Sequence, residues 1–175
     1  KRQDYDKTFT ICDDFLDIDG NDNANNDDTD GIATFDFSEA TDEIKAFFPV
    51  ATRPNLMISY YESELDRASN MNNINSQIGN YRNNNNNPSF ANNQTIYVKI
   101  IDGNSNACFG TANVFLQVDT VPIANNLAQP LSFCDDFDSG SSDDGENINI
   151  DLRQTVNDIL GTTQSETDFI VTYHT

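Results

Sequence analysis

Tryptophan is absent, histidine occurs once, and nine Lys and Arg stand against 29 Asp and Glu in 175 residues. The net charge of -20 would repel nucleic acid and anionic membrane alike, so neither is an expected partner. No apolar run approaches the ~18 residues of a membrane span, which excludes helical insertion. The charged opening KRQDYDKTF lacks the apolar core of a signal peptide and reads as an internal or trimmed segment, which says nothing against secretion. There is no C-x-x-C, and the single histidine, His174, is far along the chain from Cys12 and Cys108, so zinc chemistry is not expected. No base, nucleophile and metal come together as catalysis needs, and the expected class is non-enzymatic.

What the chain does contain is a repeat of itself. TFTICDDF, with Cys12, Asp13, Asp14 and Phe15, returns as LSFCDDF, with Cys134, Asp135, Asp136 and Phe137. Each is followed by an acidic segment ending in Asp30-Gly31 or Asp144-Gly145. Alternating ATFDF then answers NINIDL, TDEIKAFF answers TVNDILG with apolar residues three and four apart, and LMISYY answers FIVTYH. The offset falls from 122 at Cys12/Cys134 to 115 at Asp36/Asp151 and 113 at Tyr60/Tyr173, so the length differences sit in loops. His174 aligns with Tyr61, a further reason not to read it as catalytic.

The alternation predicts strands near 8–12, 32–37, 56–61, 95–101 and 112–118, and one short helical turn per copy. The fold class that follows is all-β: an antiparallel β-sandwich of immunoglobulin-like or cadherin-like type. Residues 1–122 form the complete repeat, 123–130 a linker bracketed by Pro122 and Pro130, and 131–175 the N-terminal part of a truncated second repeat, lacking the strands that close a sandwich. The Asn-rich stretch from Met71 to Asn87 reads as a long exposed loop.

The repeat also organises the cysteines. The complete copy has Cys12 on its first strand and Cys108 in the turn between its last two strands; Cys134 is the counterpart of Cys12. One disulfide per repeat, Cys12 to Cys108, is the expected arrangement, worth about 4–5 kcal/mol on the chain-entropy model. The partner of Cys134 would then lie beyond the chain. The other readings are three reduced core thiols and a Cys108–Cys134 cross-link. A stapled repeat points to an oxidising, extracellular setting.

Surplus acid has two readings, a solvated surface or carboxylates that gather divalent cations. Calcium is the ion the loops would suit: Asp17-Ile18-Asp19-Gly20-Asn21-Asp22 has the spacing that turns alternate carboxylates inward, although no Glu completes an EF-hand. Crowded carboxylates without a cation would raise one another's pKa values. The candidate ligands are Asp13, Asp14, Asp17, Asp19, Asp22, Asp28 and Asp30 in the first copy and Asp135, Asp136 and Asp138 in the second.

This order of CDD, acidic DG loop, F-D-F or I-D-L strand, helical turn, V-x-Y-[YH] strand, IYV strand, Cys and F-L-x-V strand resembles the repeats of giant cell-surface adhesins and gliding-motility proteins of Bacteroidota, exported by the type IX secretion system. The resemblance covers residues 7–122 fully and 128–175 in part. It implies display on the outer cell surface and an adhesive or motility role. The partners it implies are adjacent repeats of the same chain, the secretion machinery, and surface glycans or other adhesion targets. Asp119-Thr120-Val121 matches the O-glycosylation pattern of that phylum, which makes Thr120 a candidate glycan site; Asn93-Gln94-Thr95 matches the N-glycosylation pattern. The alternative function is a carbohydrate-binding module, with Tyr60, Tyr61, Tyr81, Phe90 and Tyr97 as candidate platform residues. In that reading Tyr61 and Tyr97 alternate outward and Tyr60 inward.

Overall fold

The structure, a computed structural model, describes residues 5–83 and 88–174, with backbone alone for Pro88 and residues 105–109. The chain divides into two compact units, Lys1–Val121 and Pro122–Thr175.

The first unit is a small β-sandwich-like fold. Its main sheet contains β1 (Asp6–Cys12), β3 (Leu56–Tyr61), β5 (Asn93–Asp102) and β6 (Ser105–Asp119) in the order β1-β6-β5-β3. A two-stranded antiparallel ribbon of β2 (Thr34–Phe35) and β4 (Tyr81–Arg82) stands apart from it. Neighbours β3, β5 and β6 are antiparallel, as expected, but β1 runs parallel to β6, with Asp6 opposite Asn113 and Cys12 opposite Asp119. A wholly antiparallel sandwich is therefore corrected at one edge.

Period-two patterning puts Ile96, Val98 and Ile100 of β5, Ala112, Val114, Leu116 and Val118 of β6, and Leu56, Ile58 and Tyr60 of β3 on the buried face. Helix α1 (Ala40–Ala46), the helical turn read from TDEIKAFF, closes this core with Ala40 and Ile44. Phe37 is fully buried at the centre, edge-on to Tyr60 at 5.7 Å and Tyr81 at 5.8 Å between ring centroids. Polar ties hold α1 to β1: the Tyr5 hydroxyl donates to Glu43 at 2.6 Å, and Lys7 Nζ reaches Glu39 and Glu43 at 2.7 Å each. Those two donors hold the Glu43 carboxyl below the ordinary glutamate range, Lys7 contributing most.

The Asn-rich stretch departs from the expected exposed loop. Ile74, Tyr81 and Asn83 are buried within it, while residues 84–87 lie outside the described residues. Asn75 accepts from the Tyr60 amide and donates to the Ile58 carbonyl, both at 2.9 Å. One side chain thus supplies the hydrogen bonds a further strand would have made at the open edge of β3, which blunts that edge against pairing with another chain.

The second unit keeps the local features of the repeat and none of its sheets. Helix α3 (Val156–Leu160) corresponds to α1, and Thr155 meets the Tyr173 hydroxyl at 2.9 Å just as Thr41 meets Tyr60 at 2.9 Å. The turn at Asp151–Arg153 repeats that at Asp36–Ser38, each with an Asp carboxylate accepting a main-chain amide two residues on, at 3.0 Å. Among the described residues the unit has no strand, including at the expected NINIDL and FIVTYH segments. The reason lies in the pairing of the complete copy: β1 needs β6, β2 needs β4 and β3 needs β5, so every strand of the first half lacks its partner here. Part of the expected linker, 123–130, is bonded to residues of this unit: Ile123 N donates to Gln164 at 2.9 Å and Asn125 N to the Ile159 carbonyl at 2.9 Å.

Amide hydrogen exchange on the 175-residue chain should therefore show two classes. Residues 96–100 and 112–118 should be protected by the global stability of the first unit, whereas residues 131–151 should exchange within seconds; slow exchange in 131–151 would contradict the pairing argument.

Candidate functional site

The corner built by CDDF lies where β1 ends and β6 leaves the sheet, and it begins with the Asp13 amide donating to the Asp119 carbonyl at 2.8 Å. Asp13 is buried, at 6% exposure, and its Oδ2 accepts from the Gly31 amide at 2.7 Å. Asp30 Oδ1 accepts from the Ile32 amide at 2.8 Å. Between those two contacts, Gly31 has φ +75°, and a Cβ there would come within 2.7 Å of Asn92, so the DG step needs its glycine. Asn83 fastens the same loop from the ribbon: it accepts from Ala33 N at 2.8 Å and donates to the carbonyls of Gly31 and Phe90 at 2.9 Å.

Arg82, beside Asn83, answers the acid. Its guanidinium grips Asp14 through two nitrogens at 2.6 and 3.0 Å and donates to the carbonyls of Asp17 at 2.6 Å and Ile18 at 3.1 Å. A planar fork suits a carboxylate and two carbonyls as an ammonium would not. Asp17, buried at 8% exposure, accepts from the amides of Asp19 and Asn21 at 3.0 and 2.8 Å and from the Asn23 side chain. Those donors, Asn21 first, hold its pKa below the ordinary aspartate range.

The ten expected calcium ligands are thus spread over separate tasks. Asp14 belongs to Arg82, Asp17 caps its own turn, Asp22 accepts from Asn26 at 2.6 Å, and Asp19 contributes its amide to the turn of Asp17. In the second copy Asp136 caps the Asp138 amide at 3.0 Å and Asp138 accepts from Asn149. Among the described residues no three His, Cys, Asp or Glu converge as a metal-binding group. Asp13 and Asp30 share one corner; burial is the leading cause that raises both pKa values, with Asp14 adding its charge to the effect on Asp13 and Asp13 to that on Asp30.

Cys12 is exposed at the same corner, and Cys134 is exposed in the second unit. The side chain of Cys108 lies outside the described residues, but its backbone is on β6 rather than in the turn. Because Cys12 is opposite Asp119, and Cys108 precedes Asp119 by eleven residues on that strand, the two α-carbons are separated by about 35 Å at ~3.3 Å per residue. A disulfide needs them within ~7 Å. The expected Cys12–Cys108 bridge inside one repeat is therefore corrected: the two cysteines mark opposite ends of the sheet.

A family model described as the Flavobacterium inter-domain disulphide bond domain matches residues 8–122. The chain belongs to that family. The match points to a flavobacterial protein, in keeping with the Bacteroidota part of the resemblance; no curated protein and no solved structure matches. The name of the inter-domain disulphide bond domain family describes a bond between domains, and in this member Cys12 and the backbone of Cys108 lie at opposite ends of the sheet.

The remaining expected sites are easily located. Thr120 is exposed one residue past β6, and Asn93 is exposed at the start of β5. Of the proposed aromatic platform, Tyr60, Tyr61 and Tyr81 are buried, and Phe90 and Tyr97 are half-buried. Tyr61 departs from the outward orientation read from alternation because helix α2 (Glu64–Ser69) packs over β3 and β5. On that face Arg67 lies 5.4 Å from the Tyr97 ring centroid.

Replacing Arg82 by Ala should cost about 2 kcal/mol in urea unfolding, since it strands Asp14 and two carbonyls in a partly buried corner. Arg82→Lys should recover less than half of that loss, because it restores the charge without the fork. Equal stability of the Lys variant and the native chain would assign the effect to charge alone.

Proposed function

We propose that this chain is a non-catalytic structural and adhesive repeat of a long protein displayed on the outer surface of a flavobacterial cell, in which disulfides join successive repeats. The observation that carries the reading is the separation of Cys12 and Cys108 to opposite ends of one sheet. β6 leaves the repeat beside Cys12, so the following repeat is tethered at that end. A following repeat of the same fold begins with its own β1, and the β5–β6 hairpin extends past the start of β1. The counterpart of Cys108 sits on that extension, five residues before the β6 residue that faces the first residue of β1. At ~3.3 Å per residue it lies about 17 Å beyond that residue along the strand. Cys12 of one repeat and the counterpart of Cys108 on the next are the pair we infer to be bonded.

Export and an oxidising setting follow from such a bond. Adhesion, gliding motility and passage through the type IX machinery rest on the sequence resemblance. Thr120, next to the exit of β6, would carry its glycan at the junction.

Non-reducing peptide mapping of the natively secreted parent protein should link the Cys12 peptide to a Cys108-type peptide of the following repeat. A Cys12–Cys108 link inside one repeat, or free thiols throughout, would overturn the pairing.

A further inference from the structure

We propose that Asp13 and Asp30 form a binding site for a hard divalent cation, calcium by the chemistry of its donors, at the exit corner of the repeat. The starting observation is one atom. Asp13 Oδ2 is satisfied by Gly31, yet Asp13 Oδ1 is buried and has no hydrogen-bond partner. An acceptor oxygen withdrawn from water without a donor is strongly disfavoured, and more so when it carries charge. Its other close charges make matters worse: Asp14 and Asp30 are carboxylates, and the guanidinium of Arg82 is committed to Asp14.

The neighbouring carboxylate has capacity to spare. Asp30 Oδ1 caps Ile32, which leaves its second oxygen available to a ligand at the same corner. A cation bound by Asp13 Oδ1 and Asp30 would remove both penalties at once. It would supply the missing partner to the buried oxygen and offset the repulsion between the two carboxylates. Calcium takes six to eight oxygens and tolerates irregular geometry, so water and main-chain oxygens can complete a sphere that two carboxylates anchor. This differs from the alternating D-x-D-G-x-D spacing of the loop, whose Asp17 is consumed by its own turn.

The pair recurs in the second copy. Asp135 Oδ2 accepts from Gly145 N at 2.7 Å and Asp144 Oδ1 from Glu146 N at 2.9 Å, matching the contacts of Asp13 and Asp30; Gly145 also has φ +75°. Asp135 and Asp144 also interact through their side chains. There the corner is open to solvent and Asp144 Oδ2 already accepts from Ser139 at 2.9 Å, so the second copy is not expected to bind.

The test is calorimetric titration of CaCl2 into the chelator-treated 175-residue chain, with thermal unfolding in calcium and in chelator. One saturable site and a rise in the first unit's midpoint are expected. Asp13→Asn and Asp30→Asn should each weaken binding at least tenfold, while Asp42→Asn, which removes the same charge from an exposed helical position, should leave it unchanged. Circular dichroism reports whether each variant folds; if Asp13→Asn does not, Asp30→Asn decides. No binding heat and no midpoint shift at millimolar calcium would overturn the site in favour of a proton or water on Asp13. Equal weakening by Asp42→Asn would overturn it in favour of diffuse counterion attraction.

Discussion

Every strand in the first half of the repeat closes on a strand from the second half. β1 pairs with β6, β2 with β4 and β3 with β5, so no hairpin forms until the chain reaches β5 and β6. Stability must then come from contacts between segments far apart in sequence, whose loop-closure entropy is met before any sheet exists. The intervening loops need only span their distances, which is why the two copies differ in loop length while the contacts around Thr41/Tyr60 and Thr155/Tyr173 coincide. The half-repeat retains what can form locally, a helix and capped turns.

The same constraint explains how a chain of net charge -20 keeps an acidic corner in one piece. Several of its aspartates accept main-chain amides two to four residues on, as Asp17 and Asp27 do, and need no counter-charge. Asp14 does need one, and it receives Arg82 from a segment 68 residues later, the segment that also supplies β4 and Asn83. The ribbon is thus as much a clamp on the acidic loop as a piece of sheet. A two-residue ribbon with only its own main-chain bonds would be marginal; the polar contacts of Arg82 and Asn83 hold it to the rest of the unit.

Strong periodicity was legible. Alternation located β1, β3, β5 and β6, the three-and-four spacing of Ile44, Phe47 and Phe48 located α1, and self-similarity exposed the repeat. The shortfall has physical causes. β4 is two residues long and sits in a run of asparagines, where no alternation can be seen. Tyr61 is outward by phase, but helix α2 covers that face, and alternation cannot report what packs on a face. The direction of β1 against β6 is a register between segments a hundred residues apart, and the cysteine pairing depends on it; spacing along the chain suggested proximity where the sheet imposes distance. Of the corner itself, the CDD and DG motifs were visible, but their division of labour was not. The signal available for Arg82 was its rarity, one of nine basic residues in the middle of a neutral run.

The parallel pairing of β1 with β6 has a mechanical consequence. In the proposed array, tension would enter a repeat at the start of β1 and leave at the end of β6, so the two strands would be pulled in opposite directions along their length. The hydrogen bonds between them lie across that pull and are loaded together, in shear, instead of one after another as in peeling. With the proposed pairing between repeats, a second route opens: tension in β1 passes through Cys12 to the β6 of the next repeat, and tension in β6 continues through the linker to the next β1. Load then runs along two covalent paths that exchange strands at every junction, and the sheet is relieved of carrying it. A corner pinned at Asp13, one residue past Cys12, fixes the point at which that exchange occurs.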